Sequence, residues 1–173
     1  MATHQFWAKV YAGFFEKMTI DEFKMVHLPP ESNVLVIGCG SFPHTMFTLA
    51  RVRRWKLNGI DIDADALANA QQLVQTHGLS DRITIQHGEG STVDITGYAM
   101  VLVAHGVEPK YDVLESLARR LQPGMMIFYR TIWDKLEKVY GEEPLPASLI
   151  VRDVHYRSDG IKSLLLVRTE TPK

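Results

Sequence analysis

Apolar and polar positions along the chain alternate between two periods. Residues 34–37 form an unbroken apolar run rich in β-branched side chains, the pattern of a strand buried on both faces. Similar short runs recur at 57–63, 82–87, 98–104 and 125–130. Between them, residues 45–54, 64–76, 111–121 and 133–140 carry helical spacing. Leu67, Ala70, Leu73 and Val74 set the apolar face of the second of these, and His77-Gly78 reads as its stop. Gln122-Pro123-Gly124 ends the third. Ser158-Asp159-Gly160 joins 148–157 to 161–168 as a hairpin. At the front, Phe6, Trp7, Val10, Tyr11, Phe14, Phe15 and Met18 make one aromatic stripe on a helix over 4–18. Thr19-Ile20-Asp21-Glu22 has the form of a second helix start, in a segment closed by Pro29-Pro30.

Strands alternating with helices predict an α/β fold: a mostly parallel sheet of seven strands, helices on both faces, and an antiparallel C-terminal hairpin closing one edge. The expected organisation is one domain over 1–173. Residues 1–30 form a helical lid or cap, and 33–173 form the core. Residues 141–147, with Pro144 and Pro146, read as the one long loop.

Composition narrows the partners. Lys and Arg total 19 against 20 Asp and Glu, so no global basic field points to nucleic acid. The local cluster Arg51, Arg53, Arg54 and Lys56 reads as a solvated helix end. No apolar run approaches the roughly 20 residues of a membrane span, and no targeting segment is visible, so the expected location is cytoplasmic. The single cysteine, Cys39, allows no internal disulfide and lies in a glycine turn as a small filler. No metal is expected.

Candidate chemistry follows from what stands at the carboxyl ends of the strands, where ligands bind in open α/β sheets. After the first strand come Gly38, Cys39, Gly40, Ser41 and Phe42, and Pro43 then opens a helix. The second strand ends on Asp61, with Ile62 and Asp63 behind it; Asp63 is the better helix cap. Gly88-Glu89-Gly90 follows the third, and His105-Gly106-Val107-Glu108 the fourth. Asp61 lies about 20 residues past Gly40, the place of a carboxylate that accepts from ribose hydroxyls. Glu89 suits an adenine amine, and Ile62 the face of that ring. Pro43 departs from the dinucleotide fingerprint, and two acids repel polyphosphate. An adenosine with a cationic tail fits better, which selects S-adenosylmethionine (SAM).

Five segments in order resemble the successive motifs of class I SAM-dependent methyltransferases: V-I-G-C-G, G-I-D-I-D-A-D-A-L, I-Q-H-G-E-G, Y-A-M-V-L-V-A-H and L-A-R-R-L-Q-P-G-M-M-I-F. The resemblance covers Leu35 to about Phe128 and implies a Rossmann-like fold. It places Gly38 and Gly40 against SAM, Asp61 on the ribose, Glu89 by the adenine, and His105 and Gly106 near the sulfonium. The glycine loop differs from most of that family: G-C-G-S-F-P-H-T resembles the G-x-G-x-x-P-x-T pattern of nicotianamine synthases, as does Arg130 placed after the fifth strand. Those enzymes transfer the 3-amino-3-carboxypropyl group of SAM and release methylthioadenosine.

Three functions are carried forward. The first is a SAM-dependent methyltransferase acting on a small-molecule acceptor. The second is an aminocarboxypropyl transferase or related cyclising enzyme, and the third a non-catalytic SAM-binding module. His105 is the first candidate for a base, with Glu108 and Tyr11 behind it. Phe42, Trp7 and Tyr11 are candidates for an aromatic wall near the cation. His44 reads as a cap of the turn. The N-terminal helix, the 141–147 loop and the second copy of a homodimer are the material available to complete an acceptor pocket.

Overall fold

The computed structural model describes residues 13–135 and 143–169. Helix α1 occupies 13–22 and tightens into a 3-10 turn, Phe23–Met25. Then follow β1 (Asn33–Ile37), α2 (His44–Arg53), β2 (Lys56–Asp61), α3 (Ala64–Thr76), β3 (Ile83–His87), β4 (Met100–Val103), α4 (Lys110–Arg120), β5 (Met126–Ile132), β6 (Leu149–Tyr156) and β7 (Ile161–Arg168). The sheet has seven strands in the order β3-β2-β1-β4-β5-β7-β6. β1 to β5 pair in parallel, and β7 and β6 add antiparallel. The fold class expected from the periodicity is therefore observed, closing hairpin included.

Alternate residues of the central strands feed two cores. Val34, Val36, Met100, Leu102 and Phe128 pack under α2 and α3 with Phe23 and Trp55. Leu35, Ile37, Val101, Val103 and Ile127 pack under α4. The strands at the centre are apolar on both faces because both faces are covered. Edge strand β6 is exposed over most of its length. Asp153 accepts the Val154 N–H there at 2.8 Å, which blunts an otherwise open edge.

The N-terminal segment departs from the expected pattern. Thr19 starts no second helix: α1 runs unbroken through 22. Thr19 is buried, and Glu22 turns into the protein toward Arg130 and Arg157, so neither side chain is free to form a capping box. Phe23 stacks on Phe128 with ring centroids 4.1 Å apart, so this stretch is built into the core. The basic cluster is also not simply solvated. Arg53 donates to the Phe23 carbonyl at 2.6 Å and lies over the Trp55 ring, while Arg51 and Lys56 are exposed. Arg130 sits within β5 rather than after it. Trp7 and Tyr11, most of the helix expected at 133–140, and part of the 141–147 loop lie outside the described residues.

Candidate functional site

β1 ends under a turn whose backbone favours glycine. Gly38 and Gly40 have φ of 76° and 66°, the left-handed region that side chains disfavour. The turn is tied to β2. The N–H groups of Gly38 and Cys39 donate to the Ile60 carbonyl at 2.9 and 3.1 Å, and the Gly40 N–H donates to Asp61 Oδ2 at 2.8 Å. Asp61 Oδ1 accepts from the Asp63 N–H at 3.1 Å. Asp63 in turn caps α3, accepting from Asp65 and Ala66.

Between this turn and the loops after β3 and β4 lies a cavity of about 590 Å³, the size range of small-molecule sites. Gly38, Gly40, Asp61, Ile62, Glu89 and Gly106 all border it, as the strand ends suggest. Glu108 and Asp112 border it too, and among the described residues no Lys or Arg lines it. A Cβ on Gly40 or Gly106 would meet nothing within 4 Å, so both positions have open space beside them. Gly90 has a different reason: a Cβ there would lie 2.6 Å from Ile37 Cγ2, so it lets the β3 loop pack on β1.

The other candidates sit off the lining. Cys39 is buried in the core beneath the turn. Burial, and then the Asp61 charge, push its thiol up to about 12, so it stays protonated and inert. Phe42 is 56% exposed and leans on the rings of His44 and Phe47. Pro43 holds the cap position of α2 without a side-chain bond, and the His44 ring lies against Phe42 and Phe15.

His105 is half-buried one residue before the lining residue Gly106. Its Nδ1 is buried without a hydrogen-bond partner among the described residues. Burial and then the Lys110 cation hold its pKa below the ordinary value, against the opposing charges of Glu143, Glu108 and Asp159. The ring is therefore neutral at pH 7, the protonation state of a base. Lys110 lies 3.7 Å from Glu108 and pairs with Glu143, which also accepts from the Tyr129 hydroxyl at 2.6 Å and from Thr131. Burial raises the Glu143 pKa, but hydrogen bonds from Lys110, Thr131 and Tyr129 outweigh it and keep the carboxyl below its ordinary value.

Sequence reasoning missed Asp112 and Glu143. Asp112 had a usable signal, an acid in the first turn of the helix after the β4 loop. Glu143 had none, since a loop glutamate gives no hint that three donors converge on it.

A sheet in this strand order, with a cavity at the carboxyl ends of β1 to β4, defines a Rossmann-like, methyltransferase-type fold. A mutant of MtNAS in complex with S-adenosylmethionine superposes with a TM-score of 0.80 at 19% identity, over 95% of this chain and 66% of that one. The mitomycin 7-O-methyltransferase MmcR superposes at 0.68 and 12% identity, over 90% and 54%. A probable cobalt-precorrin-6B C(15)-methyltransferase (decarboxylating) of Methanothermobacter thermautotrophicus is 27% identical over 107 residues, 60% of this chain and 55% of that protein. The nicotianamine synthase protein family matches residues 11–157, most of the chain, and the chain belongs to that family. It spans about two thirds or less of the length of each of these relatives.

Proposed function

We propose that this chain is a SAM-dependent transferase acting on a small-molecule acceptor, and that the group transferred is 3-amino-3-carboxypropyl. The observation that carries the cofactor reading is the cavity's charge. Asp61, Glu89, Glu108 and Asp112 border it with no cation on its lining among the described residues, which favours a cationic nucleoside over a dinucleotide or a polyphosphate. The family match favours the group, because it spans the variant glycine loop and extends through β5 to Arg157.

In this reading residues 33–169 form the cofactor-binding core. Asp61 has lone pairs beyond those used by Gly40 and Asp63 for the ribose hydroxyls. Ile62 supplies an apolar platform for adenine, and Glu89 an acceptor for its amine. The backbone of Gly38 and Gly40 shapes the wall beside the tail, with Cys39 and Phe42 behind it. Gly106 borders the space for the reacting carbon, and His105 stands one residue before it. SAM supplies an electrophilic carbon: the acceptor's lone pair forms the new bond, and the S–C pair stays on sulfur as a neutral thioether. His105 takes the proton that the acceptor loses, with Glu108 and Tyr11 as the further candidates.

Methyl transfer is a second reading, favoured by the names of the curated relative and MmcR. Mass spectrometry of the spent cofactor after incubation with SAM and candidate amine acceptors decides between them. Methylthioadenosine together with an enlarged acceptor is the expected result. S-adenosylhomocysteine with a methylated acceptor overturns it in favour of methyl transfer. Bound SAM that yields neither product would leave a binding module.

A further inference from the structure

We propose that Arg130 is a positioning residue for the glycine loop, acting through Thr45. The loop between Gly38 and α2 has two ends. Its strand end is fastened to β2 by the Ile60 carbonyl and the Asp61 carboxylate. Its helix end has no side-chain cap, since Pro43 at that position offers none. Arg130 of β5 fastens it from the sheet: its Nη1 donates to Oγ1 of Thr45 in the first turn of α2 at 2.9 Å.

Arg130 is itself held. Its Nε and Nη2 both donate to the Glu22 carboxylate, which is fully buried. Ser163 Oγ donates to that carboxylate at 2.7 Å and Arg157 Nη1 at 3.0 Å. Arg157 is in turn neutralised by Asp159. Two arginines and two carboxylates thus balance, and the guanidinium of Arg130 presents its remaining face to Thr45 in a fixed orientation. A lysine has no planar fork with which to hold Glu22 and Thr45 together. The chain of contacts runs from the end of α1, through β5, to the loop at the cavity wall. Docking of α1 and the shape of that wall are therefore one event. In this chain Thr45 is the loop's anchor and Arg130 of β5 is its counterpart.

The role assigned here rests on the cavity being the SAM site, and the test separates the two. Thr45→Val keeps the shape and removes the acceptor, whereas Thr45→Ser keeps the acceptor. In protein without SAM, amide hydrogen exchange of the peptide spanning residues 38–46 is expected to accelerate about tenfold in Thr45→Val and to stay within about twofold of wild type in Thr45→Ser. By titration calorimetry, SAM affinity should fall about tenfold in the valine variant and stay within about twofold in the serine variant. Unchanged exchange in Thr45→Val overturns the positioning role. So does equal acceleration in both variants, since a hydroxyl acceptor would then not be the cause. Wild-type protein that binds no SAM overturns the cofactor reading alone, and the exchange measurement still decides on Arg130.

Discussion

The Gly40 N–H donates to Oδ2 of Asp61 at 2.8 Å, so the carboxylate that ends β2 also shapes the turn that ends β1. One side chain links the two strand ends that border the cavity. Removing it loosens the turn and, in the function proposed above, takes away the ribose acceptor as well.

Asp61→Ala is therefore expected to weaken SAM binding by at least about tenfold, equivalent to about 1.4 kcal/mol. Asp61→Asn retains an acceptor for Gly40 and loses the charge, so it should fall between alanine and wild type. Titration calorimetry on the three proteins checks the order. Equal affinities across the series would remove Asp61 from the site.

Two glycines of the same cavity separate binding from folding. Gly106 has an ordinary backbone φ, and a Cβ there meets nothing within 4 Å. Gly106→Ala should leave the melting temperature unchanged and reduce SAM affinity, because Gly106 borders the cavity and its added methyl group meets no protein atom. At Gly90 a Cβ would press on Ile37 Cγ2 at 2.6 Å and Val113 at 3.3 Å. Gly90→Ala should cost about 1–3 kcal/mol of stability, as overpacking does. Thermal melts with and without SAM distinguish the pair. A Gly106→Ala protein that binds normally would show that the ligand does not approach this loop.

The parts of the fold written in local periodicity were legible in the sequence. Residues 64–76 form α3 with the expected ends, and Asp63 caps it, because a cap and an apolar stripe act over a few neighbouring residues. The strand-end residues Gly38, Asp61, Glu89 and Gly106 gathered as expected because topology alone brings the ends of parallel strands together. What failed depended on distant partners. Thr19 to Glu22 has the spelling of a helix start, yet Glu22 binds Arg130, 108 positions away. The fate of Arg53 turns on Trp55 and on the Phe23 carbonyl, which no charge pattern reveals.

His105 gives a pH dependence of definite sign. Its folded pKa lies below the ordinary histidine value near 6.5. As pH falls through about 6.5, the unfolded chain takes up a proton that folded His105 resists, so the unfolded state binds more protons and stability drops. The contribution is fully present above about pH 6.5 and is lost as the solution is acidified towards the folded pKa. His105→Gln lacks this term. Wild type should therefore lose more stability than the variant between about pH 7.5 and 5. Urea denaturation at several pH values measures both slopes, and parallel slopes would contradict the burial of the ring.

Glu22 should be the most costly single removal in the N-terminal segment. Its carboxylate is fully buried between Arg130 and Arg157, and Ser163 completes its hydrogen bonds. Glu22→Ala leaves Arg130 buried without its counter-charge, a loss worth about 3–5 kcal/mol in comparable pairs. Glu22→Gln keeps the shape and loses the charge, so it should lie between alanine and wild type. The adjacent residue is the control. Asp21 also makes a short ion pair, 2.7 Å to Lys24, but on the surface, where water and salt screen it. Asp21→Ala should leave the urea midpoint where it is in wild type. The two alanine variants differ by one position in the same helix. A common midpoint for both would mean that α1 is not anchored through Glu22, and a large shift only in Glu22→Ala would place the anchor at the buried arginines.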